Sequence, residues 1–428
     1  MKIAVIGVGY VGLPTGIGFA CYGHDVICID KDTNKIKALK ESVFPIYEEN
    51  LGYYYEKAQD MGNITFSDNL QDILGCQIII ICVGTPEDEL GQADLSYIKA
   101  VANSLEINEG QLIAIKSTVP VGTNEIVKSI IQNNNKGKHF TQLSMPEFLR
   151  EGFAFYDFFN PDRIVIGCDV FTEEITKTIY ELYPEHLHNK ILMTDVKSAE
   201  MIKYASNSFL AMKIHYINQI ADLCEIVGAN VFEVAKGMGL DTRIGSKFLK
   251  PSIGYGGSCF PKDTKALYYY ARAHKVDLSL IGDAIFGNYN RKKIIAQKIL
   301  QFVSDKTDAT IAVLGLSFKK GTDDCRESAS IDIINQIIQY KPNMNIKCYD
   351  KLAMDNAKEI LKDKVCYCEN IISAIQNVDL IIIMNDDEEF GNIETNITVF
   401  DFAAITNKES CPNRRLIGVD DFNVKRKK

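Results

Sequence analysis

Ile3-Ala4-Val5-Ile6-Gly7-Val8-Gly9-Tyr10-Val11-Gly12 carries an apolar, β-branched run directly into a G-x-G-x-x-G turn. That order predicts a strand, a tight turn and the start of a helix. Gly7 permits the turn, Gly9 lets backbone approach a pyrophosphate, and Gly12 lets the next helix pack closely on the sheet. The N-terminus of such a helix offers unpaired N–H groups and a partial positive charge to phosphates. Asp25–Asp30 reads as a second strand, and Asp30 closes it 18 residues after Gly12. A carboxylate there accepts from an adenosine ribose and repels a 2′-phosphate, which predicts NAD in preference to NADP. Lys31 and Lys35 stand beside it and weaken that preference. A glycine-rich turn alone signifies little; here strand, turn, helix and acid agree.

Outward from this stretch, Ile78–Val83, Leu112–Lys116, Phe140–Ser144 and Ile164–Ile166 are further strand candidates. They are almost continuously apolar, the pattern of parallel strands covered on both faces. Alternation with helical stretches predicts a doubly wound α/β sheet over residues 1–195. Residues 196–302 change character. Ser198–Val227 holds helical periodicity without proline or glycine and reads as one long helix. Further helical sequence lies at Val231–Met238, Asp263–His274 and Leu280–Phe302, interrupted by Ile253-Gly254-Tyr255-Gly256-Gly257-Ser258. Over residues 303–428 the alternation returns, with strands at Thr310–Leu314, Ile346–Asp350, Asp379–Met384 and Ile397–Phe400 and a helix at Ser330–Tyr340. The expected architecture is two Rossmann-like sheets flanking a central helical region, and helical middles of this kind predict a homodimer.

Across 428 residues, 46% hydrophobic and 24% charged is a composition that can bury two or three cores. A net charge of −9 argues against a nucleic-acid partner. The one basic run, Lys425-Arg426-Lys427-Lys428, reads as a solvated tail. No apolar run reaches the ~20 residues a membrane span needs, and residues 1–12 read as strand and turn, not as a secretory leader. Twelve scattered cysteines lack paired CxxC sets, and Cys366-x-Cys368 is too tight for ordinary zinc spacing. The expectation is a reduced, cytoplasmic protein with no metal site and no membrane partner.

Chemistry concentrates in Gly254-Tyr255-Gly256-Gly257-Ser258-Cys259-Phe260-Pro261-Lys262-Asp263. Glycines let backbone come close to a ligand, and Cys259 then opens a helix, where the helix end and Lys262 both favour a nucleophilic thiolate. Asp263 is placed to position a water or carry a proton. Cys21, Cys76 and Cys224 lack such surroundings and read as inert core thiols, like Cys28 and Cys82 in their apolar runs. Lys203 and Asn207, four apart on the long helix, share a face and together could stabilise an oxyanion, although spacing alone favours an ordinary solvated face. Glu147 and Glu151, in Pro146-Glu147-Phe148-Leu149-Arg150-Glu151-Gly152, follow a strand and suit either a base toward water or the first turn of a helix. Val83-Gly84-Thr85-Pro86 and Ser117-Thr118-Val119-Pro120-Val121-Gly122-Thr123 also follow strands, as ligand loops do, but are equally ordinary turns.

With these motifs the chain resembles the nucleotide-sugar dehydrogenases, over nearly its whole length. The resemblance also covers Pro161-Asp162-Arg163-Ile164-Val165-Ile166-Gly167 and Phe318-Lys319-Lys320-Gly321-Thr322-Asp323-Asp324-Cys325-Arg326-Glu327-Ser328. It implies two NAD-dependent steps, without a metal, that take the sugar 6-hydroxyl of UDP-glucose to a carboxylate. Cys259 would trap the aldehyde as a thiohemiacetal and then carry a thioester. Lys203 and Asn207 would stabilise oxyanions, while Asp263, Thr118 and Glu147 would hold or activate water. Around NAD it places Val11, Asp30, Lys35, Thr118, Glu151, Lys262 and Arg326, which join Gly7, Gly9 and Gly12 of the fingerprint turn and Thr85 of the loop after Ile78–Val83. Around the sugar nucleotide it places Phe148, Leu149, Arg150, Glu151, Lys203 and Asn207. Phe248, Leu249, Lys250, Pro251, Ser252, Gly256 and Lys319 join them, with Arg243 reaching the partner subunit's substrate.

The chain departs from this pattern near its C-terminus. The family often carries Asp-Gly-Arg there; this chain reads Asp401-Phe402-Ala403-Ala404, and Arg414 and Arg415 stand at another offset. That bears on which nucleotide-sugar is used, GDP-mannose and UDP-N-acetyl-hexosamines being the alternatives. A two-electron hydroxy-acid dehydrogenase would share the layout without needing Cys259. A non-catalytic nucleotide-binding module would have lost Cys259, Lys203, Asn207 or Asp263, all of which are present.

Overall fold

The computed structural model describes residues 1–422, so the basic run at 425–428 lies outside the described residues. The chain forms two compact units, Met1–Ser206 and Asn207–Lys428. In the first, β1 (Lys2–Ile6), β2 (Asp25–Ile29), β3 (Ile64–Ser67), β4 (Ile78–Ile81), β5 (Gln111–Ile115), β6 (Phe140–Ser144), β7 (Ile164–Cys168) and β8 (Ile191–Thr194) build one sheet. Its order is β3-β2-β1-β4-β5-β6-β7-β8. The apolar runs are continuous because both faces are covered. Ile3 and Val5 enter one core with Ile17, Phe19 and Ile80, while Ala4 and Ile6 enter another with Ile79, Ile81 and Ile113.

One departure from an all-parallel sheet is β7, which pairs antiparallel with β6. Between them the only helix is Ala154–Phe159, six residues. At 1.5 Å per residue it rises about 9 Å, less than the ~16 Å a five-residue strand spans, so it does not carry the chain back for a parallel crossover. β3 and β8 escape a pattern reading because each is four residues long and β8 is only half-buried.

The long helix, Val196–Val227, contains both Ser206 and Asn207, so the division between units falls inside it. Gly228 ends it at φ +76°, donating to the Cys224 carbonyl, as a helix-terminating glycine does. Helices Val231–Gly239, Phe260–Ala273 and Ser279–Phe302 follow. Then β9 (Thr310–Leu314), β10 (Asn345–Tyr349), β11 (Cys366–Tyr367), β12 (Leu380–Ile383), β13 (Val399–Asp401) and β14 (Arg414–Leu416) make a second sheet. Every pairing in it is parallel, in the order β11-β10-β9-β12-β13-β14. Taken in chain order this is the 3-2-1-4-5-6 arrangement of a dinucleotide-type sheet.

The two sheets share a turn. Gly7 after β1 has φ +96° and donates to Ile29; Gly315 after β9 has φ +94° and donates to Tyr349. Two residues on they diverge, where Gly9 is matched by Ser317. The Ser317 hydroxyl donates to the Lys319 carbonyl at 2.9 Å and lies 3.2 Å from Asp350 Oδ2, while Asn385 Nδ2 donates to it at 3.0 Å.

Candidate active site

In the first unit the candidate groups follow the carboxyl ends of β1, β4, β5 and β6, where open α/β sheets hold ligands. A Cβ on Gly7 would stand 2.9 Å from the Cys82 carbonyl oxygen, and one on Gly12 would overlap the Gly7 carbonyl oxygen, so both positions require glycine. At Gly9 a Cβ would meet nothing within 4 Å. That open flank ahead of helix Gly12–Cys21, whose N-cap is Val11, fits a pyrophosphate group. Asp30 Oδ2 accepts the Val8 N–H at 3.0 Å and lies 3.6 Å from Lys35 Nζ, so the carboxylate that would meet the ribose also braces the turn. Thr85 Oγ1 donates to the Thr118 carbonyl at 2.9 Å and Ser117 Oγ to the Val83 carbonyl at 2.6 Å. The loops after β4 and β5, each ambiguous by itself, are thus one structure.

Glu147 and Lys203 form a buried ion pair at 2.8 Å, each side chain 4% exposed. Burial alone pushes the Glu147 carboxyl up. The Lys203 ammonium and its hydrogen bond, the Leu149 N–H and Lys116 outweigh that and hold it below the usual carboxylate range. Glu147 and Glu151 lie in the loop ahead of helix Ala154–Phe159, not in its first turn. Arg163 lies 3.7 Å over the Phe148 ring, and Arg150 is bound by Asp157 through Nε and Nη2. Two cations here have no site role in the sequence reading, which holds them only within a motif and a strand. Lys116, whose ammonium burial pushes down, directly precedes Ser117-Thr118, and Arg163 follows Pro161-Asp162.

In the second unit Cys259 is the N-cap of helix Phe260–Ala273, and Pro261 sits in its first turn, where a missing N–H costs nothing. Asp263 is fully buried and gathers two donors, Asn207 Nδ2 at 2.6 Å and Lys262 Nζ at 2.6 Å. Lys203 and Asn207, which spacing alone left on a solvated face, are both buried. The glycines before Cys259 admit protein, in contrast to the expected close approach of ligand. A Cβ on Gly256 would overlap the Glu327 carbonyl oxygen, one on Gly257 would stand 2.7 Å from the Phe318 ring, and the Gly257 N–H donates to Arg326. The segment therefore nests against Phe318–Ser328, so the two most distinctive motifs of the chain are packed together.

Family models match the chain along nearly all of its length. Residues 1–187 match the NAD binding domain of the UDP-glucose/GDP-mannose dehydrogenase family, 197–290 its central domain and 312–408 its UDP binding domain. The chain belongs to the UDP-glucose/GDP-mannose dehydrogenase family. It is 44% identical to the UDP-glucose 6-dehydrogenase TuaD of Bacillus subtilis, across 92% of this chain and 85% of that one. It is also 44% identical to a UDP-glucose 6-dehydrogenase of Rhizobium meliloti, across 92% and 91%. A UDP-glucose dehydrogenase structure from the archaeon Pyrobaculum islandicum superposes with a TM-score of 0.92 at 30% identity, covering 98% of both chains. The chain is accordingly an NAD-dependent nucleotide-sugar dehydrogenase, as its motifs led one to expect.

Within this UDP-glucose/GDP-mannose dehydrogenase, the stretch Phe248–Ser252 is divided in its packing. Leu249 is buried with Ile217, Ala221, Cys224 and Val231, and Pro251 is buried, so these two offer a ligand only backbone. Phe248, at φ +64°, is a bulky residue in the left-handed region, a strained position of the kind found at ligand sites. Lys250 pairs with Asp386 at 2.9 Å, Arg326 with Asp324, and Lys319 lies 5.3 Å over the Phe318 ring. Arg243 is exposed and held by Asp241 at 2.6 Å.

At the departure from Asp-Gly-Arg, Asp401 is fully buried and turned inward. It accepts from the Ala403, Ile405 and Thr406 N–H groups and the Thr406 hydroxyl, closing its loop on itself. Arg414 donates to the Thr406 carbonyl, and Arg415 lies over the Phe302 and Phe400 rings. Both arginines serve the fold here.

Proposed function

We propose that the chain oxidises the C6 hydroxyl of UDP-glucose to the carboxylate of UDP-glucuronate, in two steps through a covalent adduct on Cys259. The observation that carries this reading is the pairing of a helix-capping Cys259 with the Asp263–Asn207 and Lys262 cluster in the same unit. A helix N-terminus favours thiolate, which adds to the C6 aldehyde and leaves an alkoxide. Asn207 and Lys203 donate hydrogen bonds to that oxyanion. Asp263 fixes the Asn207 amide and Glu147 fixes the Lys203 ammonium, so neither donor has to reorganise as charge develops. Glu147, held low, is a weak base, and its place is as the anchor of Lys203. NAD supplies the hydride acceptor for both oxidations. Water then hydrolyses the Cys259 thioester, returning the thiol and releasing the carboxylate.

The test is the yield of NADH per sugar on UDP-glucose, GDP-mannose and UDP-N-acetyl-mannosamine. Two NADH per UDP-glucose is the expected result. One per sugar would leave a two-electron enzyme, and turnover only with GDP-mannose would reassign the substrate.

We further propose a cytoplasmic homodimer in which Arg243 serves the partner's substrate. Phe209, Tyr216 and Leu223 support the dimer, being about half exposed and spaced seven apart along the long helix. A recurring exposed apolar stripe of that kind is a partner-binding face. No helix among the described residues is long and apolar enough to cross a membrane.

A further inference from the structure

Glu200 lies on the long helix three residues before Lys203, so the two are neighbours on one face. It is 2% exposed and its carboxylate is fully engaged. Oε2 accepts the Gly122 N–H at 2.7 Å, while Oε1 accepts the Asn124 N–H at 2.8 Å and Asn124 Nδ2 at 2.7 Å. Helix Thr123–Asn134 begins at Gly122, which has no side chain with which to cap it. Glu200 provides that cap from a different helix. Asn124 continues the network, its Oδ1 accepting from Gln142 Nε2 at 2.9 Å. Gln142 is on β6, the strand that leads into Glu147.

These bonds close a ring. From Glu200 one path runs through Asn124, Gln142 and the exit of β6 to Glu147; the other runs one helical turn to Lys203; and the 2.8 Å ion pair joins the ends. The same carboxylate holds the far end of the loop whose near end is Thr118. Burial pushes the Glu200 carboxyl up in spite of its donors, as suits a group closed off from water; Glu125, paired with Lys197, is the acid facing it.

We propose that Glu200 is a positioning residue: through Asn124 and Gln142 it fixes the register of Lys203 against Glu147 and the Thr118 loop. This rests on the role given above to Lys203. In Glu200→Gln one oxygen becomes an N–H₂ that cannot accept, so either the Gly122 N–H or the two Asn124 donors lose their partner, without loss of volume. A misplacement of about 1 Å in a reacting group costs up to a hundredfold in rate.

The experiment measures kcat and both KM values with UDP-glucose and NAD for the parent, Glu200→Gln and Asn124→Ala. It repeats Glu200→Gln in a Lys203→Met background and takes Thr172→Ala as the control, which removes the cap on helix Glu173–Leu182. The expected result is a kcat at least tenfold lower in Glu200→Gln with KM for NAD within threefold. A smaller fall is expected in Asn124→Ala, with less than a twofold further effect in the Lys203→Met background and an unchanged kcat in Thr172→Ala. A kcat within twofold of the parent overturns the proposal, as does an equal loss with or without Lys203. If Glu200→Gln does not fold, Asn124→Ala decides by the same criteria. A parent that does not oxidise UDP-glucose would instead defeat the reading of function beneath it.

Discussion

At the scale of single residues, Glu147 and Lys203 illustrate a buried pair whose partners depend on each other. Removing one member leaves an uncompensated charge and costs about 3–5 kcal/mol, whereas exchanging both for apolar groups costs much less. Glu147→Gln is therefore expected to lower the denaturant midpoint more than Glu147→Gln with Lys203→Met, and the reverse ranking would show that the pair is not closed to water. The pH dependence follows from the carboxyl being held low. Its contribution is fully present above the unfolded value of about 4.5 and is lost as pH falls through the lower folded value. The stability gap between parent and Glu147→Gln should narrow only below about pH 4.5 in urea titrations. Cysteines show a parallel contrast. Cys28 and Cys82 lie in the sheet core, where burial pushes the Cys82 thiol up to about 12, while Cys259 caps a helix. Cys259→Ala should abolish acid formation from UDP-glucose, and Cys76→Ala should keep kcat within about twofold; equal losses in the two would remove the covalent step.

Among elements, the fingerprint turn separates two duties of glycine. Gly12→Ala drives a Cβ into the Gly7 carbonyl, so the variant should unfold at lower temperature and bind NAD weakly. Gly9→Ala meets no protein atom; its melting temperature should stay within about 2 °C while NAD affinity falls. A Gly9→Ala chain that binds NAD like the parent would mean that no phosphate passes there. The sequence made this turn legible because strand, spacing and acid are all local. At Gly256 and Gly257 it pointed to a ligand and not to the protein neighbours, because Glu327 and Phe318 are about 60–70 residues away and only the fold brings them close. Lys203 and Asn207 read as surface residues for the same reason: the partners that make burial tolerable, Glu147 and Asp263, lie 56 residues away on either side. β14 was missed because Arg414-Arg415-Leu416 has no apolar run and is defined only by pairing with β13.

For the whole molecule, the family resemblance carried activity and architecture further than pattern alone, since nearly every motif it uses is contiguous. The subunit arrangement is a proposal with a direct check. If Arg243 serves the partner's substrate, Arg243→Ala and Cys259→Ala are each inactive, but unfolding and refolding them together gives mixed dimers with one intact site. Recovery of about a quarter of parental activity follows from random pairing into closed dimers; no recovery would keep Arg243 within its own subunit.

The twin turns at Gly7 and Gly315 raise the matter of ligand traffic. A protein with two copies of one nucleotide cradle invites each small molecule to the wrong seat. At the second cradle the hydroxyl of Ser317, clasped by Asn385 and facing Asp350, already occupies the room that Gly9 leaves vacant. Calorimetric titration with NAD should thus saturate at one equivalent per chain, leaving the later sheet to the uridine carrier.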